Sequence, residues 1–114
     1  MYIDLIAGAR PNFMKIAPII SELESRKDHN IEYRLIHTGQ HYDANMSESF
    51  FKQLGIPEPD LNLGAGGGSQ AEQTGSIMVG YEKALTGKKS DLCLVVGDVT
   101  STMACSIVAR KIIN

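Results

Sequence analysis

Two short apolar runs, each opening into a polar turn and then a helical pattern, constrain this chain more than any other feature. Tyr2-Ile3-Asp4-Leu5-Ile6-Ala7 leads into Gly8-Ala9-Arg10-Pro11-Asn12-Phe13-Met14-Lys15. Leu92-Cys93-Leu94-Val95-Val96 leads into Gly97-Asp98-Val99-Thr100-Ser101-Thr102. Strands that are apolar without alternation are covered on both faces, which is the habit of parallel sheets flanked by helices. Asp4 is the one charge in the first run. Both runs therefore read as central parallel strands, and if they pair, their two turns lie side by side at the carboxyl edge of the sheet, where ligands bind in open α/β folds.

Between them the chain alternates strand and helix. A first helix is expected over about Pro11–Arg26, with Phe13, Ile16, Ala17, Ile20 and Leu23 facing the sheet. Pro18 falls inside it, where it removes one hydrogen bond and bends the helix. The second strand, Ile31–Thr38, alternates in its first half and belongs nearer an edge. It ends in the polar turn Thr38-Gly39-Gln40-His41-Tyr42. A second helix, capped by Asp43 or Asn45, places Met46, Phe50, Phe51 and Leu54 on one face and closes at Gly55 and Pro57. Asp60-Leu61-Asn62-Leu63 offers at most a short edge strand, and Gly64-Ala65-Gly66-Gly67-Gly68 reads as a mobile loop. That loop lacks the strong preceding strand and the G-x-G-x-x-G order of a dinucleotide fingerprint. Ser69-Gln70-Ala71-Glu72 is a capping box opening a third helix to about Leu85, with Ile77, Met78, Tyr81 and Leu85 inward. A last helix, Thr102–Ile113, turns Ala104, Ile107, Val108 and Ile112 inward. The fold class is α/β, a Rossmann-like doubly wound parallel sheet.

Three polar turns therefore share one sheet edge: Gly8–Lys15, Thr38–Tyr42 and Gly97–Thr102. Gly8 gives the first turn backbone freedom, and Pro11 suits the first turn of a helix. Arg10 and Lys15, with the helix N-terminus behind them, suit an anionic ligand. On their own they also read as a solvated basic pair. Asp98 stands where a carboxylate either reaches a ligand or caps the last helix. The convergence indicates a small polar or anionic ligand and leaves the reaction open.

Composition narrows the classes. A chain of 114 residues with net charge −2 has no broad basic surface for nucleic acid or an anionic membrane. No stretch approaches the length of a membrane span, and the start lacks a signal-peptide pattern. Cys93 and Cys105 sit in apolar or helical patterns without metal-site spacing, as small core residues of a reducing compartment. A cytoplasmic protein without a bound metal is expected. The end, Ile112-Ile113-Asn114, falls on an apolar helical pattern, so a further strand is expected beyond it.

Gly8-Ala9-Arg10-Pro11-Asn12-Phe13-Met14-Lys15-Ile16-Ala17-Pro18 resembles the opening G-[TA]-R-P-x-x-x-K-x-[AS]-P motif of the non-hydrolysing UDP-N-acetylglucosamine 2-epimerases. The resemblance continues through Thr38-Gly39-Gln40-His41, Leu54-Gly55-Ile56, Pro59 to Leu63, and Asp91 to Asp98, in order along the chain. It implies that residues 1–114 form an incomplete N-terminal Rossmann-like domain of a glycosyltransferase-B-type enzyme. The rest of that domain and a C-terminal nucleotide-binding domain lie elsewhere. The implied reaction interconverts UDP-GlcNAc and UDP-ManNAc for surface polysaccharide synthesis. UDP is eliminated to 2-acetamidoglucal and added back, with no redox cofactor. The chain alone would be inactive, and the whole protein a homodimer.

By the same resemblance Asp98, Lys15 and Arg10 are catalytic. Arg10, Lys15, Gly97, Asp98 and Thr100 contact the UDP-sugar, and Gln40 and His41 belong to a substrate or allosteric loop. Gly67 and Gly68 stand where regulated bacterial members carry an Arg-Gln pair, which argues against activation by UDP-GlcNAc. Three alternatives remain beside this reading: a hydrolysing relative that releases ManNAc and UDP, an epimerase of a related UDP-sugar acid, and a non-catalytic α/β ligand-binding module.

Overall fold

Strands and helices alternate through the computed structural model, which describes residues 1–26, 29–39, 48–97 and 99–113. The elements are β1 (Tyr2–Ala7), α1 (Arg10–Ser25), β2 (Glu32–His37), α2 (Glu48–Leu54), β3 (Leu61–Asn62), α3 (Gln70–Gly87), β4 (Leu92–Val95) and α4 (Thr100–Ile112). The four strands form one sheet in the order β3-β2-β1-β4, and every pairing is parallel. The chain thus builds outward from β1 through β2 to β3, then crosses back to add β4 on the other side. That reversal places a topological switch point between the carboxyl ends of β1 and β4. The expected pairing of the two apolar runs is met, with Ile6 level with Val95 and Ile36.

Each face of the sheet has its own core. On one, Ile3, Leu5 and Ala7 of β1 pack with Phe13, Ile16 and Ile20 of α1 and with Phe50 and Phe51 of α2. On the other, Ile6 and Ile36 pack with Ile77, Tyr81 and Leu85 of α3 and with Ala104, Cys105 and Val108 of α4. The alternation of β1 side chains between these cores explains its apolar run. The capping box at Ser69 forms as the sequence predicts: its hydroxyl accepts the Glu72 N–H at 3.1 Å, and the Glu72 carboxylate accepts the Ser69 N–H at 3.0 Å. These bonds hold the Glu72 carboxyl below its usual range.

Asp4 is fully buried and has a partner that the sequence pattern does not announce. In register beside it on β2 lies Arg34. The guanidinium donates to both carboxylate oxygens, Nε to Oδ1 at 2.8 Å and Nη2 to Oδ2 at 3.0 Å. Tyr81 Oη of α3 donates to Oδ2 at 2.8 Å. Arg34 also donates to the carbonyls of Ala84 and Lys88 at the end of α3. Burial lowers the Arg34 pKa, but the hydrogen bonds and charge of Asp4 outweigh it and the guanidinium is held firmly protonated. Burial, with Cys93 and Asp4 nearby, pushes the Tyr81 phenol well above its ordinary value. One ion pair therefore joins β1, β2 and the carbonyl end of α3.

The structure departs from the sequence pattern in several places. Among the described residues β4 pairs with β1 alone, and Leu92 is 44% exposed, so this strand is less covered here than its apolar run suggests. Ile107 is not inward; the buried stripe of α4 runs through Ser101, Ala104, Cys105 and Val108, small residues that let the helix approach the sheet. α4 also begins at Thr100, two residues before the expected start. The glycine-rich segment is not a free loop at its start, since Ala65 is buried and its N–H bonds to the Thr38 carbonyl at 2.9 Å. The caps expected at Asp43 or Asn45, and Met46, lie outside the described residues.

Replacing Asp4 by alanine leaves the Arg34 guanidinium buried without its counter-charge, and is expected to cost about 3–5 kcal/mol of stability. The paired apolar replacement Asp4→Leu/Arg34→Met should cost much less. Urea unfolding of the two variants checks this; an Asp4→Ala protein as stable as the parent would show that water reaches Arg34.

Candidate functional site

All strands point the same way, so the turns after β1, β2 and β4 emerge at one edge. They meet at Gly8. A Cβ built on Gly8 would lie 2.4 Å from Ser101 Oγ of α4 and 2.9 Å from Thr38 Oγ1 at the end of β2. Both neighbours are themselves buried. Gly8 does not have a positive φ. The sequence-based reason for this glycine, backbone freedom, is therefore replaced by another: no side chain fits where three turns close on one another. Gly97 is the reverse case, with φ of +83° in the left-handed region that favours glycine.

The first turn owes its shape to Asn12. This residue is buried, and its Oδ1 accepts two consecutive backbone N–H groups, from Gly8 and Ala9, each at 2.9 Å. Its own N–H donates to the Ala9 carbonyl at 2.9 Å. Pro11 precedes it in the first helical turn, as expected. Ala9 and Val99, the residues that precede α1 and α4, offer no side-chain cap to the helix N–H groups. The N-termini of α1 and α4 thus lie beside the switch point, each with the partial positive charge of a helix start.

Arg10 is exposed at the start of α1, its guanidinium stacked 4.7 Å from the centre of the Phe50 ring. Lys15 is exposed one turn further on. Thr100 is half-buried and its hydroxyl donates to Gln70 Oε1 at 3.3 Å, tying the start of α4 to the start of α3. The structure thus brings Arg10, Gly97 and Thr100 to the neighbouring β1 and β4 turns. Asp98, Gln40 and His41 lie outside the described residues. The sequence places Thr38 and Ser101 in the polar turns without giving either a role of its own, and it gives none to Asn12. The available signal was an Asx residue in the first turn of a helix whose N-cap is alanine.

Cys93 is half-buried and its thiol is pushed up to about 11 by burial, so it is protonated near neutral pH and a poor nucleophile. Among the described residues, no group of three His, Cys, Asp or Glu side chains is placed to hold a metal, and no helix is long and apolar enough to cross a membrane. A cavity of about 660 Å³ opens at the opposite edge of the sheet, by Tyr2, Tyr33, Arg34 and Lys88, away from these turns.

Fold and site together define a class: a parallel α/β domain with two helix N-termini and the Arg10 cation at a topological switch point. Comparison with known proteins gives the family. Residues 23–112 match the profile of the UDP-N-acetylglucosamine 2-epimerase family, and the chain belongs to it. It is 41% identical over 112 residues to a UDP-N-acetylglucosamine 2-epimerase of Methanocaldococcus jannaschii, covering 98% of this chain and 30% of the relative. It is 40% identical to a UDP-2,3-diacetamido-2,3-dideoxy-D-glucuronate 2-epimerase of Pseudomonas aeruginosa, covering 98% of this chain and 31% of the relative. A crystal structure of the Methanocaldococcus jannaschii UDP-GlcNAc 2-epimerase, in complex with UDP-GlcNAc and UDP, superposes with a TM-score of 0.88 at 41% identity. It covers 97% of this chain, which spans 30% of that one. The Neisseria meningitidis enzyme bound to UDP-GlcNAc superposes with a TM-score of 0.84 at 31% identity, covering 98% of this chain and 30% of its own. The chain thus spans about three-tenths of the length of these relatives.

Gly8→Ala is expected to cost about 1–3 kcal/mol, because the new methyl overlaps Ser101 Oγ and Thr38 Oγ1. Adding Ser101→Ala should recover part of that loss, since the nearest clashing atom is removed. Denaturant unfolding of the single and double variants measures both; a neutral Gly8→Ala would mean that the turns separate freely.

Proposed function

We propose that residues 1–114 form the N-terminal, Rossmann-like part of a UDP-sugar 2-epimerase that interconverts UDP-GlcNAc and UDP-ManNAc. The observation that carries this reading is the setting of the Arg10 turn beside the Gly97 turn at the switch point, in a chain whose fold matches an epimerase in complex with UDP-GlcNAc and UDP. A cytoplasmic homodimer is part of the proposal. The exposed apolar side chains Val79, Met103 and Ile107 on α3 and α4 support contact with a second copy.

The chemistry assigns roles. Removal of the C2 proton and departure of UDP from C1 leave a C1–C2 double bond. Return of UDP to C1, with a proton added to the other face of C2, gives the epimer. Negative charge grows on the departing diphosphate, and Arg10 and Lys15 are assigned to stabilise it. Asp98 is assigned to proton transfer at the sugar, for which a carboxylate needs a tuned pKa. Gly97 and Thr100 are assigned to substrate contact, and Gln40 and His41 to the loop beside it. The C-terminal nucleotide-binding domain, outside this chain, supplies the remaining contacts, so residues 1–114 alone are inactive.

A second reading, an epimerase of a UDP-sugar acid, is favoured by the Pseudomonas aeruginosa relative, whose 40% identity nearly equals the 41% of the first. Proton NMR of the full-length protein with UDP-GlcNAc in deuterated water separates them. Deuterium at C2 with UDP-ManNAc accumulating to equilibrium is the expected result. Free ManNAc and UDP would assign a hydrolysing enzyme. Silence with UDP-GlcNAc but exchange with a UDP-diacetamido-glucuronate would assign the second reading, and silence with both a binding role.

In the same assay Asp98→Asn is expected to abolish exchange with the fold intact. Lys15→Ala should lower kcat/KM roughly 30- to 1000-fold, the range for a lost transition-state contact of about 2–4 kcal/mol. A change within about twofold would make Lys15 a bystander.

A further inference from the structure

The turn that bears Arg10 and the turn that begins at Gly97 are not independent, and one buried side chain stands between them. Asn12 Oδ1 accepts from Gly8 and Ala9 and so sets the Ala7–Gly8 and Gly8–Ala9 peptides, while its backbone N–H holds the carbonyl of the Ala9–Arg10 peptide. On its other side, a Cβ on Gly97 would lie 3.1 Å from Asn12 Nδ2. Asn12 is 4% exposed, which leaves no room for a substrate to touch it. An amide on a short stem is well suited to this place. Its oxygen satisfies two donors that no helix cap satisfies, and its nitrogen packs against a glycine that has no side chain to displace it.

Resting on the epimerase reading above, we propose that Asn12 is a positioning residue of the site. It acts through Arg10, holding the guanidinium's backbone in register with the Gly97 turn, so that cation and acid/base turn meet the same substrate. The side chain takes no part in the chemistry. Its loss frees the Ala7–Gly8 and Gly8–Ala9 peptides to rotate, and a small misplacement of a charged contact is costly to catalysis.

The test is a double-mutant cycle on kcat/KM in the full-length protein, with UDP-GlcNAc and C2 deuterium exchange as the readout. Asn12→Ala is expected to lose 10- to 100-fold, and Asn12→Ala/Arg10→Ala to lose no more than about threefold beyond Arg10→Ala alone. A purely structural role behaves otherwise, since a smaller folded fraction multiplies onto any active-site loss. Asn12→Asp, which keeps both acceptor bonds, is expected to recover at least tenfold of the Asn12→Ala loss. If Asn12→Ala does not fold, Asn12→Ser takes its place in the cycle. Losses that multiply, or a folded Asn12→Asp as impaired as Asn12→Ala, overturn the proposal while the wild type remains active. A wild type without exchange overturns the epimerase reading and this inference with it.

Discussion

The parallel pairing of β1 with β4 is the constraint on which the rest of the molecule depends. β1 already pairs with β2 on one side, so β4 can join only on the other, and the chain must cross the sheet to reach it. That crossing puts the starts of α1 and α4 next to each other. The starts of these two helices and the Arg10 cation then share one edge of the sheet, although they come from opposite ends of the chain. The crowding around Gly8 is the steric consequence: β2, β1 and α4 arrive at one point, and the backbone at that point has to be bare.

At the far end of the sheet a different interaction keeps the layers in register. Asp4 and Arg34 lie side by side on adjacent strands, and both are buried. A buried ion pair is a weak source of net stability, because desolvation offsets most of the attraction. Its geometric demands are strict, however. Arg34 reaches Asp4 in bidentate fashion and the last carbonyls of α3 at the same time, so a shift of β1 by one residue or of α3 by one turn would leave several buried groups unsatisfied. Strand register at the Asp4 end then sets how β1 and β2 end at the other, where Gly8 meets Thr38.

Much of the architecture is legible along the chain. The period of Phe13, Ile16 and Ile20 gave α1, the Ser69–Glu72 box gave the start of α3, and the two apolar runs gave paired parallel strands. The one misplaced side chain has a packing cause. Ile107 read as inward because a helical stripe has a width, and only packing against α3 and the sheet decides where its border falls. In the candidate site Arg10 and Gly97 stood out by residue type and position. Asn12 did not, because an asparagine in a first helical turn takes its meaning from the backbone N–H groups it happens to reach.

The sequence by itself determined the elements, their order, their parallel sense and the residue types at the strand ends, since periodicity, turn residues and capping are local properties. It also carried the family, in its opening motif taken together with those that follow along the chain. The tertiary structure alone decided that Asp4 meets Arg34 across two strands, that Gly8 is glycine for want of space, and that Asn12 lies between two turns some 85 residues apart in the chain. These are contacts between distant segments, and their energies depend on distances that no local pattern encodes.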